Sequence, residues 1–367
     1  MNDSLTLQPE HAGSQAVTLD DIAARCGVGR TTVHRALHGA PEVNEQTATR
    51  IIAVAAEMGY DPALHDMARR MAKRRFGKTE LTGVVGFYFP MHLYALNYFH
   101  RLFTGIMEAV VEEHYELLII PDADKMDSLS PSATRGNVDA IITLSSPWVF
   151  QQTLLKLRAT PGFGTRPVVS LFNPMPGCAQ VRCDDFAGGK ASAGHLLDLG
   201  HRHLLHFHRS RLDENNQVSV QRVEGYLSAY RERGLDPGPL LHDADLRRVT
   251  RGDAIAEPLL AALRAHPEIT AILTPNDLSA IGAWRTLREN GWRVPEDISI
   301  IGHDDTDPFL NDHQQNLLTS VSVPLEALGR EVACLAIRMA RERLATHEPI
   351  ILPVSLSVRA STAPAPR

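Results

Sequence analysis

The first ordered pattern in the chain is a set of three short apolar stripes between Val17 and Tyr60. Thr18 stands as an N-cap with Asp21 three residues on, a capping-box spacing closed by a shorter acid at the positive end of a helix dipole. Ile22 and Ala23 then face inward, and Cys26-Gly27 ends the helix, because Gly27 can take the left-handed conformation a tight reversal needs. A second helix is predicted from Arg30 to about Leu37, stopped by Gly39 and Pro41. A third starts at the cap Asn44, carries Ile51, Val54, Ala55 and Met58 on one face, and closes at Gly59. Two short helices about a glycine turn, braced by a third, form a helix-turn-helix, whose second helix enters a DNA major groove. The plainer reading is a small helical cap on an α/β protein.

Past Pro62 the pattern changes twice. In ALHDMARRMAKRR, the residues Leu64, Met67, Ala68, Met71 and Ala72 fall on one helical stripe, with Arg69, Arg70, Lys73 and Arg74 off it. A helix this short with an exposed apolar stripe needs a partner helix or a surface. From Leu81 onward strands alternate with helices. Strands are predicted at 82–89, 116–120, 138–143, 167–172, 203–208, 269–274 and 297–302. Helices are predicted at 97–114, 148–158, 185–199, 218–233, 252–266, 277–290 and 325–345. Such alternation implies parallel sheets covered on both faces, and there are too many units for one sheet. Two Rossmann-like lobes with a cleft between them are expected.

Composition changes this picture little. The 367 residues allow two or three domains, and 44% hydrophobic residues allow a large core. No apolar window of ~18 residues marks a transmembrane helix. Residues 1–16 lack a basic and then apolar run, so they read as a disordered tail rather than a signal peptide, with the cytoplasm as the default location. Cys26, Cys178, Cys183 and Cys334 have no metal-type spacing and read as reduced thiols. Charge is more telling. The chain carries −6, yet residues 1–78 hold ten Lys/Arg against nine Asp/Glu, and six basic residues with no acid lie between Met67 and Lys78. A basic block beside a helix-turn-helix supplies phosphate contacts even on an acidic protein.

Several runs carry a specific likeness. They are Val17-Thr18-Leu19 with Asp21-Ile22-Ala23, Gly27-Val28, Thr32-Val33 with Arg35-Ala36-Leu37, then Val43, Thr47 and Ile51, then Ala55 with Gly59-Tyr60. Together they resemble the DNA-binding head of the LacI/GalR (lac repressor) family. Gly29 and His34 depart from it, standing where the family usually has serine. Further on, Asp184-Asp185 with Gly188-Gly189, Gly200-His201-Arg202, Arg222 with Gly225-Tyr226, Asn276-Asp277, Val294-Pro295, Gly302-His303-Asp304-Asp305 and Leu352-Pro353-Val354 follow the family order. The resemblance implies a helix-turn-helix head of 17–61, a hinge of 62–80, and a periplasmic-binding-protein-like effector-binding and dimerisation domain of 81–367. Its chain would cross three times between lobe 1 (about 81–178 and 320–347) and lobe 2 (about 179–316 and 350–362). The family hinge pairs across a dimer axis and wedges a side chain into the minor groove. Here two extra residues separate Pro62 from Ala68-Arg69-Arg70-Met71, with Met71 as the wedge and Met67 as the alternative.

Candidate contacts follow. Arg30 and Thr31 sit at the exposed start of the second helix, where Arg can fork onto a guanine and the Thr methyl can meet a thymine. His34 and Arg35 fit backbone or outer bases, and the resemblance adds Thr18, Thr32, Asn44, Arg69, Arg70 and Met71 to the DNA-contacting set. In open α/β sheets ligands sit off the carboxyl ends of strands. Asn173, Asn276 and Asp304 follow such strands and Arg222 lies early on a helix. The resemblance assigns these four to effector contacts, with Asp277 and Asp305 equally readable as helix caps. Tyr88, Trp148, Tyr94 and Phe99 are candidate apolar walls.

Other chemistries fare worse. His201, His203, His206 and His208 invite a metal, but no Cys or carboxylate stands at ligand spacing, so no metal and no cofactor is expected. Asp184-Asp185 and Asp304-Asp305 cannot form acid/base pairs as strand neighbours, which point to opposite faces. No nucleophile elbow or phosphate loop follows any strand. The sequence thus points to a DNA-binding regulator, most simply a homodimeric repressor. Double-stranded operator DNA and a small-molecule effector, a sugar by resemblance, are its expected partners, and no membrane is implied. A solute-binding protein and a carbohydrate-active enzyme are the alternatives.

Overall fold

Local sequence signals build the head almost unaided. The computed structural model describes residues 17–37, 42–60, 81–90, 97–122, 133, 136–144, 147–160, 163–208, 216–238, 240–245 and 255–366. The tail 1–16, the hinge 62–80 with Arg69, Arg70, Met67 and Met71, and Tyr94 lie outside them. Helix α1 (Leu19–Cys26) opens on the expected capping box. The Thr18 hydroxyl accepts from the Asp21 N–H, and the Asp21 carboxylate accepts from the Thr18 N–H at 2.8 Å. The Thr18 hydroxyl also donates to that carboxylate at 2.6 Å, and this bond first, then the one from the Thr18 N–H, holds the Asp21 carboxyl below its usual range. Gly27 caps the helix at φ 66°, the left-handed region where glycine carries no penalty. Helices α2 (Arg30–Leu37) and α3 (Glu45–Glu57) follow, α3 capped by the Asn44 amide oxygen on the Gln46 N–H. Leu19, Ile22, Val33, Ala36, Ile51 and Ala55 close a core beneath the three, and Arg50 donates to the Cys26 carbonyl at 2.6 Å, bracing the turn.

Contacts divide the chain after Thr82. The second unit contains two six-stranded sheets. In the first, β1 (Val84–Pro90), β2 (Glu116–Asp122), β3 (Ala140–Thr143), β4 (Val168–Leu171), β5 (Ala179–Cys183) and β11 (Ile350–Leu352) run in the order β11-β5-β4-β3-β1-β2. In the second, β6 (Leu204–His208), β7 (Leu241–Asp245), β8 (Ala271–Leu273), β9 (Ser299–Asp304), β10 (Thr319–Ser322) and β12 (Ser355–Ser357) run β12-β10-β9-β8-β6-β7. Every pairing is parallel except β10 with β12. The two orders are the same walk, except that the edge strand β11 runs parallel to its neighbour and β12 antiparallel, and no sequence repeat is visible.

Helices α4 (Asn97–Glu112), α5 (Pro147–Arg158) and α10 (Leu325–Glu342) pack on the first sheet. Helices α6 (Asp185–Asp198), α7 (Gln217–Glu232), α8 (Ala256–Ala265) and α9 (Asp277–Glu289) pack on the second. Each lobe has one helix pair in near backbone contact. A Cβ on Gly105 of α4 would stand 1.9 Å from the Glu326 carbonyl oxygen of α10, and one on Gly329 of α10 would stand 2.1 Å from that of Leu102. In the second lobe Gly189 and Gly225 do the same for α6 and α7, each Cβ falling 2.3 Å from a carbonyl oxygen.

The chain crosses between sheets three times, but not where the sequence reading placed the lobe limits. Strand β5 (179–183) pairs with β4 and belongs to lobe 1, β10 (319–322) pairs with β9 and belongs to lobe 2, and β11 (350–352) returns to β5 in lobe 1. Crossings therefore fall between Cys183 and Asp185, Ser322 and Leu325, and Leu352 and Ser355. β5, β7, β10 and β12 escaped notice because polar residues, such as Gln180 and Arg182 in β5 and His242 and Asp243 in β7, interrupt their apolar runs, and β11 because its three residues show no period. Among the described residues no helix is long and apolar enough to cross a membrane.

Candidate effector cavity and DNA-reading helix

The carboxyl ends of both sheets face one cavity of about 430 Å³, within the usual range for small-molecule sites. The first lobe contributes Tyr98 and Phe99 from α4, Leu144 after β3, Phe172 and Asn173 after β4, and Cys183 ending β5. The second contributes Asn216 and Val218, Arg222 on α7, Pro275 and Asn276 after β8, Asp304 ending β9, and Thr306 and Asp307.

Arg222 is the fixed point. Its Nε donates to Asp185 at 2.8 Å and its Nη1 to the Pro275 carbonyl at 3.0 Å. Burial alone would lower its pKa, but the Asp185 and Asp304 carboxylates reverse that and hold it above the ordinary value. Burial also raises Asp185, with Arg222 pulling it back. Asp304 is pushed up to about 7, by burial first, then by Asp277, Asp185 and Asp307, against the pull of Arg222. Behind it Asp277 rises to about 6 through burial, although Ser320 and the Thr306 and Asp307 N–H groups donate to it. Gly302 makes room for this carboxylate, since a Cβ there would lie 2.3 Å from its Oδ1.

Two lining residues are held in backbone conformations that cost about 1–3 kcal/mol and persist only where the surroundings impose them: Phe172 at φ 67° and Asp304 at φ 94°. The Phe172 ring stands 5.9 Å from that of Tyr98, which lies 5.0 Å edge-on to Phe99. Beside them the Asn173 side-chain oxygen is buried with no partner among the described residues. Leaving such an acceptor unmet costs about 1–3 kcal/mol, which a ligand hydroxyl would recover. The lobes also touch through Gln180 and Gln217 at 3.0 Å and through Asn97 and Asp307 at 2.8 Å.

Of the expected effector residues, Asn173, Arg222, Asn276 and Asp304 surround this cavity. Asn276 has a second task, since its Oδ1 caps α9 on the Ser279 N–H, leaving its amide nitrogen for a ligand. Asp277 is not the cap, and Asp305 is forked by Arg359 at 2.8 and 3.0 Å. Tyr88 is a correction: it is buried with Ile141, Leu154 and Leu157 in the core between the first sheet and α5, the strand alternation turning it away from the cavity. Trp148 falls on α5, with its side chain outside the described residues. Phe99 does line the cavity. Sequence reasoning missed Tyr98, Phe172 and Asn216, and took Asp185 only as part of a motif, although its place beside Arg222 follows from the α6–α7 glycine contact.

In the head, Arg30, Thr31 and Arg35 are exposed on α2, with Thr32 and His34 half-buried. Arg30 pairs with Asp20 at 3.2 Å, both largely exposed. Thr18 and Asn44 are exposed, and their side-chain oxygens are engaged as caps.

Known proteins share this arrangement. The profile described as bacterial regulatory proteins, lacI family, matches residues 18–63, and that of a periplasmic binding protein-like domain matches 193–362. Over 357 residues the chain is 29% identical to the HTH-type transcriptional regulator CelR of Thermobifida fusca, covering 94% of this chain and 98% of that one. It is 26% identical over 357 residues to the HTH-type transcriptional repressor CytR of Escherichia coli K12, covering 95% and 96%. A solved CelR–cellobiose complex matches with TM-score 0.62 at 24% identity over 94% of this chain and 99% of that one. The lac repressor dimer bound to operator and the anti-inducer ONPF matches at 0.70 with 22% identity over 95% and 100%, a likeness of fold. The head and the two-lobed domain thus define a DNA-binding transcriptional regulator. The chain carries a lacI-family DNA-binding head and a periplasmic binding protein-like domain, and it is similar to HTH-type transcriptional regulators along nearly its whole length.

Proposed function

We propose that this regulator is a repressor whose operator affinity is set by a neutral saccharide bound between the lobes. The cavity's charge carries the reading. Its cation, Arg222, is already engaged by Asp185 and Pro275, while Asp304 and Asp307 add acid and Asn173 offers an unmet acceptor. A phosphate or carboxylate would meet repulsion there, whereas hydroxyls can donate to Asn173 and Asp304, and aromatic rings can cover a sugar's C–H face. The relatives point the same way: a ribose-bound lacI-family regulator from Enterococcus faecium matches with TM-score 0.62 at 26% identity over 77% of this chain.

The chain acts as a cytoplasmic homodimer with 17–61 as the reading head, 62–80 as the hinge and 81–367 as the effector unit. Two α2 helices read half-sites of a near-palindromic operator, with Arg30 and Thr31 at base edges, and Thr18, Thr32, His34, Arg35 and Asn44 at backbone or flanking positions. Met71, with Met67 as the alternative, wedges into the minor groove, and Arg69 and Arg70 contact phosphates beside it. The effector acts only as far as it prefers one arrangement of the lobes.

A thermal-shift panel of neutral mono- and disaccharides, sugar phosphates and uronic acids tests the cavity. Stabilisation by neutral sugars alone is expected, and stabilisation by sugar phosphates alone refutes it. Arg30→Ala is expected to relax preference at one operator position by about 1–3 kcal/mol, and Arg70→Ala to weaken all sequences alike. Unchanged binding in both removes the assignment.

A further inference from the structure

Of the histidines that crowd the β6 sequence, His201, His203 and His206 have separate surroundings in the fold. His201 is buried between Thr270 and the Ala363 carbonyl, and His206 packs near Tyr226. His203 instead joins residues far away in sequence. Its Nδ1 lies 3.2 Å from His242 Nε2, and these atoms stand 4.0 and 3.8 Å from Glu268 Oε1. On the far side His266 Nδ1 is 3.2 Å from the same oxygen, its ring 4.2 Å from that of His242.

We propose that His203, His242 and Glu268 form a binding site for a divalent transition-metal ion, zinc in the first place. Tetrahedral zinc with bonds of about 2.0–2.1 Å sets its donor atoms roughly 3.3–3.4 Å apart. The imidazole pair already has that spacing, and the carboxylate oxygen reaches it by closing about half an ångström. Without an ion the pair is joined by one N–H···N hydrogen bond between neutral imidazoles, and an ion would replace that bond with one to each nitrogen. Two imidazoles and one carboxylate suit zinc, nickel or copper, whereas magnesium and calcium require oxygen ligands.

The scaffold is set by backbone bonding. His203 precedes β6 and its carbonyl accepts the Thr270 N–H, His242 is the second residue of β7, and the Ile269 N–H donates to the His266 carbonyl across the turn that presents Glu268. His266 orients the carboxylate from outside, the support a ligating carboxylate commonly has. All of these lie at the amino ends of β6, β7 and β8, opposite the strand ends that face the effector cavity, so an ion there would tie the edge strand β7 to its neighbours.

The test is titration of the chelator-treated full-length protein with zinc, and with cobalt as a spectroscopic probe, using magnesium as a control. One zinc per chain is expected to bind and raise the thermal midpoint, and magnesium is expected to do neither. Bound cobalt is expected to show tetrahedral visible bands without the thiolate charge-transfer band that the four cysteines would give. Glu268→Gln and His203→Gln, both at partly exposed positions, are expected to weaken zinc at least about tenfold while leaving the zinc-free midpoint near that of the parent. Absence of saturable binding overturns the proposal, as does a thiolate band or binding that both variants leave intact.

Discussion

The two lobes walk the same path through their sheets and finish their strands in opposite chemistry. Around the cavity the first lobe presents mainly rings and apolar groups: Tyr98, Phe99, Leu144 and Phe172. The second presents Arg222, Asn276, Asp304 and Asp307. Topology fixes only where strand ends point, and the residues just past those ends decide what is bound. The division suits a ligand with one apolar face and one rim of hydroxyls.

Removing the cation from the polar half should have the largest effect. Arg222→Ala leaves Asp185 buried without its partner, and a loss of about 3–5 kcal/mol in unfolding free energy is expected, with saccharide response abolished. Arg222→Lys, keeping the charge without the fork, should recover part of the stability and little of the response. Equal stability of the alanine variant and the parent in denaturant titration would show that the Arg222–Asp185 pair does not hold the polar half together.

The shared architecture is probed next. Gly105→Ala and Gly189→Ala force the helix pairs of the two lobes apart, and each should cost about 1–3 kcal/mol or more. If one lobe tolerates the change and the other does not, the packing equivalence fails.

Acid titration separates the halves again. Asp304 is held up to about 7 and Asp277 up to about 6, both first by burial, so the folded state keeps protons that the unfolded chain releases near pH 4. Their contribution to stability is present in full at low pH. It falls as pH rises from about 4 to about 7, and then stays level. Asp304→Asn should flatten much of that slope, measured as unfolding free energy against pH. A parent protein whose stability is unaffected by Asp304→Asn across that window would place the Asp304 carboxyl in water.

On the apolar half, effects should be smaller. Tyr98→Ala should weaken saccharide binding about tenfold through lost ring contact, with operator affinity in the absence of sugar unchanged. Loss of basal operator binding instead would make Tyr98 a structural residue.

The same contrast explains what the sequence made legible. Thr18, Gly27 and Asn44 act on residues within four positions of themselves, so the head's caps could be read directly. Asn173, Asn276 and Asp304 were readable because they stand at strand ends, and Arg222, on a helix, was readable through the family resemblance. Tyr98 and Phe172 were not, since a ring after a strand looks the same whether it meets a cavity or a core, and Tyr88 met the core. The histidine–glutamate cluster was invisible for another reason: its members are 39 and 26 residues apart and meet only when β6, β7 and β8 pair.

The regulatory claim rests on coupling between cavity and DNA, and one titration tests it most directly. Labelled operator bound by the full-length protein would be followed by fluorescence anisotropy while a neutral saccharide that stabilises the protein is added. Operator affinity should fall over the concentration range in which the sugar saturates the protein, and Asn173→Ala should shift that range upward. Saturation by the sugar with operator affinity unchanged would contradict it.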